Sequence, residues 1–136
     1  MKQVVKMQYY ITACSNDAMQ HAVLAAMEHA SDYPDILSKE FHIRCNLIVD
    51  RLNSMPGVEC HRPKGSIYVF PKVIVPGFTS EELAMELLQD GVLCSPGTAF
   101  GPSGEGHLRF AFTISQEDIS KGMDIVEGTL NRLLSQ

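Results

Sequence analysis

At 136 residues, with 45% apolar and 20% charged residues, the chain is long enough for one compact domain with its own core and is ordinary in composition for a globular protein. A formal net charge of -5 and an isoelectric point near 5.4, with eleven scattered lysines and arginines, exclude the concentrated basic surface that nucleic acid or an anionic membrane needs. No apolar run reaches the ~18 residues of a membrane span, and Met1-Lys2-Gln3 is not followed by a secretory core and cleavage site, so a cytoplasmic protein is expected.

Ser15 is the expected N-cap of a first helix, with Asp17 in its opening turn and strong helix formers from Ala18 to His29. Met19, Ala22, Val23, Leu24, Ala26 and Met27 leave that helix little polar surface, which predicts burial on several sides or packing against something outside the chain. Asp32-Tyr33-Pro34 breaks it. Ile36, Leu37, Phe41, Leu47, Ile48 and Leu52 then recur at steps of three and four, predicting a long amphipathic helix that Pro56-Gly57 ends. Val58 to Cys60 and Ser66 to Val73 read as strands, with Pro71 and Pro76 marking an edge or a strand end.

Thr79 with Glu82 forms a capping box for a short helix whose buried stripe is Leu83, Leu87 and Leu88, with Gly91 at its C-terminal end. Val92 to Cys94 reads as a strand into the turn-rich loop Pro96-Gly97-Thr98-Ala99-Phe100-Gly101. His107 to Thr113 reads as the next strand, and Ser115 with Asp118 caps a last helix with Ile119, Met123, Val126, Leu130 and Leu133 inward. The expected fold class is α+β: a small antiparallel or mixed sheet with helices covering one face, preceded by a long helical N-terminal segment.

Cys14, Cys45, Cys60 and Cys94 are widely and irregularly spaced in a chain without an export signal, so they are expected to be reduced. No metal site is expected, because Cys60-His61 is the nearest approach to a ligand pair and neighbours on a strand point to opposite faces. The glycines at 97, 101, 104 and 106 do not make a nucleotide loop, since a strand and not a helix follows them.

Arg109 is the residue that carries chemistry. Along an extended chain Leu108, Phe110 and Phe112 share one face while His107, Arg109 and Ala111 share the other, so the arginine points away from the apolar side. A guanidinium on a rigid strand, toward a sheet edge, matches a carboxylate with two parallel charge-assisted bonds. The competing reading is an exposed arginine that serves solubility. His107 shares its face without a catalytic role, and Phe100 either walls the arginine's pocket or belongs to the core.

Pro96-Gly97-Thr98-Ala99-Phe100-Gly101, with Gly106-His107-Leu108-Arg109-Phe110, resembles the closing signature of class I and II aminotransferases, the pyridoxal-phosphate enzymes of fold type I with aspartate aminotransferase among them. Pro63-Lys64-Gly65-Ser66-Ile67-Tyr68-Val69-Phe70-Pro71 is similar to their Pro-x-Gly-x-aromatic-Tyr-x-Phe-Pro segment, with Ile67 in place of the more usual aromatic. Phe41 to Asn53 resembles the stretch that begins Tyr-x-x-Arg-Arg-Asp, although Cys45 and Asn46 replace its second arginine and its aspartate. Lys6-Met7-Gln8-Tyr9-Tyr10 and Gln20, Ala22, Ala25 and Ala26 are similar to the run that follows the cofactor lysine.

The resemblance implies the last third of such an enzyme, with residues 1–31 a helical segment linking to an absent large domain and residues 32–136 the small domain. It implies transamination between amino acid and 2-oxo acid substrates, with Arg109 and Phe100 as substrate-binding residues and no catalytic residue in this chain. Pyridoxal phosphate would belong to the full-length enzyme, and none is expected on this chain alone, whose Ser38-Lys39 lies on the polar side of a helix and not at a Schiff base. The partners implied are the large domain and, through exposed apolar surface, a second copy. Three alternatives stay open: a truncated, non-enzymatic module, a subunit that docks on a separately encoded large domain, and a carbon–sulfur lyase or aminocyclopropane carboxylate synthase of the same fold.

Overall fold

A computed structural model describes residues 1–135 and divides by contact into two units, residues 1–37 and the chain from Ser38 onward. In the first unit, helix α1 (Lys2–Thr12) ends where Ala13 takes φ 53° and its N–H donates to the Tyr9 carbonyl at 3.0 Å. Helix α2 (Asp17–His29) is capped by Asn16, whose Oδ1 accepts from the Met19 N–H at 3.3 Å. Ser15, the N-cap expected from sequence, offers only its carbonyl, to the Gln20 side chain. No residue of α1 or α2 is buried, so Val4, Tyr9, Tyr10, Ile11, Val23 and Met27 all stand exposed.

Helix α3 (Tyr33–Asn53) starts with Pro34 in its first turn, where a missing N–H costs no intrahelical bond. Within the second unit it buries Cys45, Ile48, Val49 and Leu52. Strands β1 (Val58–Glu59), β2 (Tyr68–Val69) and β3 (Lys72–Val73), helix α4 (Ser80–Gln89), strands β4 (Ser95–Pro96) and β5 (Leu108–Ala111) and helix α5 (Gln116–Leu134) follow.

Two strands differ from the sequence expectation. The run from Ser66 to Val73 is two strands, because Pro71 has no N–H to donate and the chain changes partner across it. β2 pairs with β5, whereas β3 pairs with β1. Val92 to Cys94 is not a strand: the Val92 N–H donates to the Leu87 carbonyl at 2.8 Å, closing the end of α4, and the ladder starts only at Ser95. Leu88 is 46% exposed and Ala84 takes its place in the core. At 3.6 residues per turn Leu88 lies about 140° round the helix from Leu83.

All strand pairs are antiparallel, in the orders β2-β5-β4 and β1-β3, with a single bridge between Lys72 and His107 linking the two sheets. β5 is therefore the central strand of its sheet, not an edge as the sequence suggested. Val69, Leu108, Phe110 and Phe112 join the buried residues of α3, α4 and α5 in one core. Tyr68, Phe70 and Ala111 alternate outward and are exposed. This is the expected α+β layer, with helices against one face of an antiparallel sheet.

Carboxylates fasten the helices. Glu82 accepts from the Thr79 N–H at 2.8 Å while Thr79 Oγ1 accepts from the Glu82 N–H, the capping box read from sequence. Asp90 accepts from the Thr129 hydroxyl at 2.6 Å and Arg132 Nη2 at 2.7 Å, tying the end of α4 to α5. Glu40 accepts from Arg44 Nε at 2.8 Å and from Gln116. Bonds to the charged form hold all three below their ordinary values: Glu82 chiefly through the Thr79 N–H, Asp90 through the Thr129 hydroxyl, Glu40 through Arg44.

A depressed carboxylate stabilises the fold fully above its unfolded value, 4.5 for the glutamates and 3.8 for Asp90, and that contribution is lost as pH falls through the lower folded value. The urea midpoint should therefore fall as the pH is lowered from about 5 through the carboxylate range. Thr129→Val should make that drop smaller; a drop of unchanged size would show that the hydroxyl does not hold Asp90 ionised.

Candidate functional site

The loop that leads into β5 is built from two successive turns of 3-10 helix, Gly97–Phe100 and Pro102–Gly104. They fold back on each other: the Gly97 N–H donates to the His107 carbonyl at 2.8 Å and the His107 N–H to the Gly104 carbonyl at 3.0 Å. The backbones of Gly97 and Gly104 touch, and a Cβ on either would overlap the other's carbonyl oxygen.

Glu105 rivets this loop to the start of α4. Its Oε1 accepts from the Ser80 N–H at 2.8 Å and the Gly106 N–H at 3.0 Å, and its Oε2 from the Ser80 hydroxyl at 3.2 Å. The Ser80 N–H is one of the unpaired donors of the first helical turn, and the Ser80 residue itself is buried, so the carboxylate answers two polar groups at once. Those bonds, the Ser80 N–H first, hold Glu105 below the ordinary carboxylate range. A second tie is the Thr98 hydroxyl, 3.2 Å from Glu81 Oε1.

With the loop fixed, β5 presents Arg109 on the face away from the core, half-buried between inward Leu108 and Phe110. The guanidinium carbon lies 4.4 Å from the ring centroid of Tyr68 and 4.5 Å from that of Phe100. Its Nη2 donates to Ser95 Oγ at 3.3 Å. Phe100 is 53% exposed, so it is a wall beside Arg109 and not a core residue; it meets Phe70 edge-on at 6.0 Å. Phe70 in turn stacks on His107 with centroids 5.1 Å apart.

The other four arginines are all paired with acids: Arg44 with Glu40, Arg51 with Asp124 and Glu127, Arg62 with Asp50, and Arg132 with Glu86 and Asp90. Arg109 alone among the described residues has no carboxylate within salt-bridge distance. A half-buried cation held by rings and a hydroxyl is a site with its charge unmet, suited to a carboxylate from outside.

Sequence reading singled out Arg109 and Phe100, which the structure brings together, but passed over Ser95, Tyr68 and Glu105. Tyr68 stood inside a quoted motif, but only the strand register places it beside Arg109; Ser95 and Glu105 carried no local signal. Burial pushes the thiols of Cys60 and Cys94 up to about 11, and all four cysteines are free. A separate cleft of about 680 Å³, between α3 and the Pro63–Ser66 loop, is lined by Ser38, Lys39, His42, Cys45, Lys64 and Phe112 among others, and does not include Arg109.

No protein-family model matches the chain. It is similar to a probable N-acetyl-LL-diaminopimelate aminotransferase of Bacillus subtilis, 34% identical over 127 residues that make up 93% of this chain and 32% of that protein. It is also similar to an aspartate aminotransferase of Pyrococcus horikoshii, 32% identical over 96% of this chain and 34% of the relative. Among solved structures, an alanine aminotransferase from Pyrococcus furiosus superposes with a TM-score of 0.85 at 29% identity, covering 96% of this chain and 34% of that one. The chain thus spans about a third of the length of the curated relatives it matches.

Because the Gly97 and Gly104 backbones leave no space between them, Gly97→Ala should lower unfolding stability by more than about 2 kcal/mol. Ala99→Ser, at an exposed position of the same turn, should stay within about 0.5 kcal/mol of the wild type. Equal effects of the two in urea denaturation would contradict the close packing.

Proposed function

We propose that this chain, which belongs to the class I and II aminotransferases of fold type I and corresponds to their C-terminal domain, holds the α-carboxylate of an amino acid and of a 2-oxo acid through Arg109. The observation that carries this reading is the guanidinium without an acid partner among the described residues, in a domain whose other arginines are all paired. The reaction would be transamination: an amino group leaves one amino acid and is passed to a 2-oxo acid in two half-reactions.

Pyridoxal phosphate, when bound, supplies the carrier for that amino group and the electron sink that weakens the Cα–H bond. The contacts around Arg109 leave its fork of donors open to an acid group, and we read no residue of this chain as a cofactor ligand, so the cofactor would be held by residues outside it. This chain's part is positional. Two parallel bonds from Arg109 would fix the carboxylate plane, and with it the direction of the Cα–H bond. Phe100 would stand beside the same carboxylate, its ring against the guanidinium.

The relatives above carry aminotransferase names, which favours transamination over carbon–sulfur cleavage or ring closure on the same fold, and over a module without activity. The exposed apolar side chains of α1 and α2 are read as surface that the large domain or a second copy covers in a homodimer. No described helix is long and apolar enough to cross a membrane, and we place the protein in the cytoplasm.

In the enzyme completed by its cofactor-binding part, Arg109→Lys should raise KM and lower kcat/KM by roughly two orders of magnitude, about the loss of a bidentate charged contact. Steady-state kinetics equal to the wild type would remove Arg109 from substrate recognition.

A further inference from the structure

We propose that Ser95 and Tyr68 are positioning residues for Arg109, gripping its guanidinium from the two strands that flank β5 and leaving its charge unmet. The inference rests on the reading of Arg109 as a carboxylate anchor. It starts from register. Ser95 on β4 stands directly opposite Arg109, and Tyr68 on β2 stands opposite Ala111, so Tyr68 and Arg109 are diagonal neighbours on one face. The central strand thus receives one contact from each side, the Ser95 hydroxyl at 3.3 Å and the Tyr68 ring at 4.4 Å.

The two contacts restrict different motions. The Tyr68 ring, matched by Phe100 with its centroid 4.5 Å from the guanidinium carbon, limits where the group can sit but leaves it able to turn about its own axis. The hydroxyl accepting from Nη2 fixes that rotation and commits one N–H, so Nε, Nη1 and the second Nη2 hydrogen stay available to a ligand among the described residues. The choice of a hydroxyl has an electrostatic reason. A carboxylate opposite Arg109 would orient it as well, but it would neutralise the charge that an incoming acid must meet. An arginine whose rotamer is already selected loses less conformational entropy when it binds, which is what preorganisation means for a long side chain.

The experiment is side-chain nitrogen-15 relaxation of the Arg109 Nε–H in the 136-residue chain, with thermal melting recorded for each variant. In the wild type the order parameter should approach the value of about 0.85 that a rigid backbone amide shows. Ser95→Ala and Tyr68→Ala should each bring it below about 0.6, with Ser95→Thr and Tyr68→Phe restoring it and melting temperatures little changed. Titration with pyruvate, the probe acid, should shift the Arg109 Nε resonance, with an apparent Kd roughly threefold to tenfold weaker in Ser95→Ala, about the worth of one hydrogen bond. An order parameter that Ser95→Ala and Tyr68→Ala leave at the wild-type value overturns the grip, whatever pyruvate does. A wild type whose Arg109 signal is rigid and responds to both substitutions but ignores pyruvate overturns the anchor, and with it the purpose assigned to the grip.

Discussion

Leu108 and Phe110 draw β5 into the core, and because side chains alternate along a strand, the same pull sends Arg109 to the opposite face. Burial of the two apolar residues is what makes the arginine's position rigid: shifting β5 by one residue would expose both and bury a cation. The central place of β5 adds to this. With partners on both sides it cannot slide without breaking ladders to β2 and β4 together, so the same packing that stabilises the domain also aims the one arginine without an acid partner among the described residues.

The loop before β5 is under a second constraint, imposed through charge. Glu105 accepts from the Ser80 N–H and hydroxyl and from the Gly106 N–H, so one carboxylate bonds the start of α4 to the residues that lead into β5. Acids elsewhere in the domain do similar work, Asp90 between α4 and α5 and Glu40 between α3 and Gln116. This gives the negative net charge a structural meaning: much of it holds backbone and arginine donors, and among the described residues none of it lies within salt-bridge distance of Arg109.

The helices of the domain were legible because their signals are local. Thr79 and Glu82 announce α4, and Ile119, Met123, Val126, Leu130 and Leu133 recur at the steps that α5 then buries. Leu88 was misplaced because a hydrophobic residue one step off the stripe looks no different in sequence. The strands were harder. Val92 was diverted by a bond to Leu87, and Pro71 split a run of apolar residues that reads as one strand. Arg109 and its outward face could be read from alternation alone, whereas Ser95 and Tyr68 depend on which residues the ladder sets side by side, and pairing register is not written in either strand by itself.

The meeting of Gly97 with Gly104 has a bearing on how such a domain could acquire new preferences. Each glycine is hemmed in by the other's main chain, so replacing one opens no room at the other, and neither can be exchanged for a bulkier residue in a single step or in a pair. Room for substitution in this stretch lies at positions that look outward, such as Ala99 and Ser103, and at the exposed ring of Phe100. A fixed crossing of two backbones beside an open rim would let the rim change while the geometry that positions the arginine stays as it is.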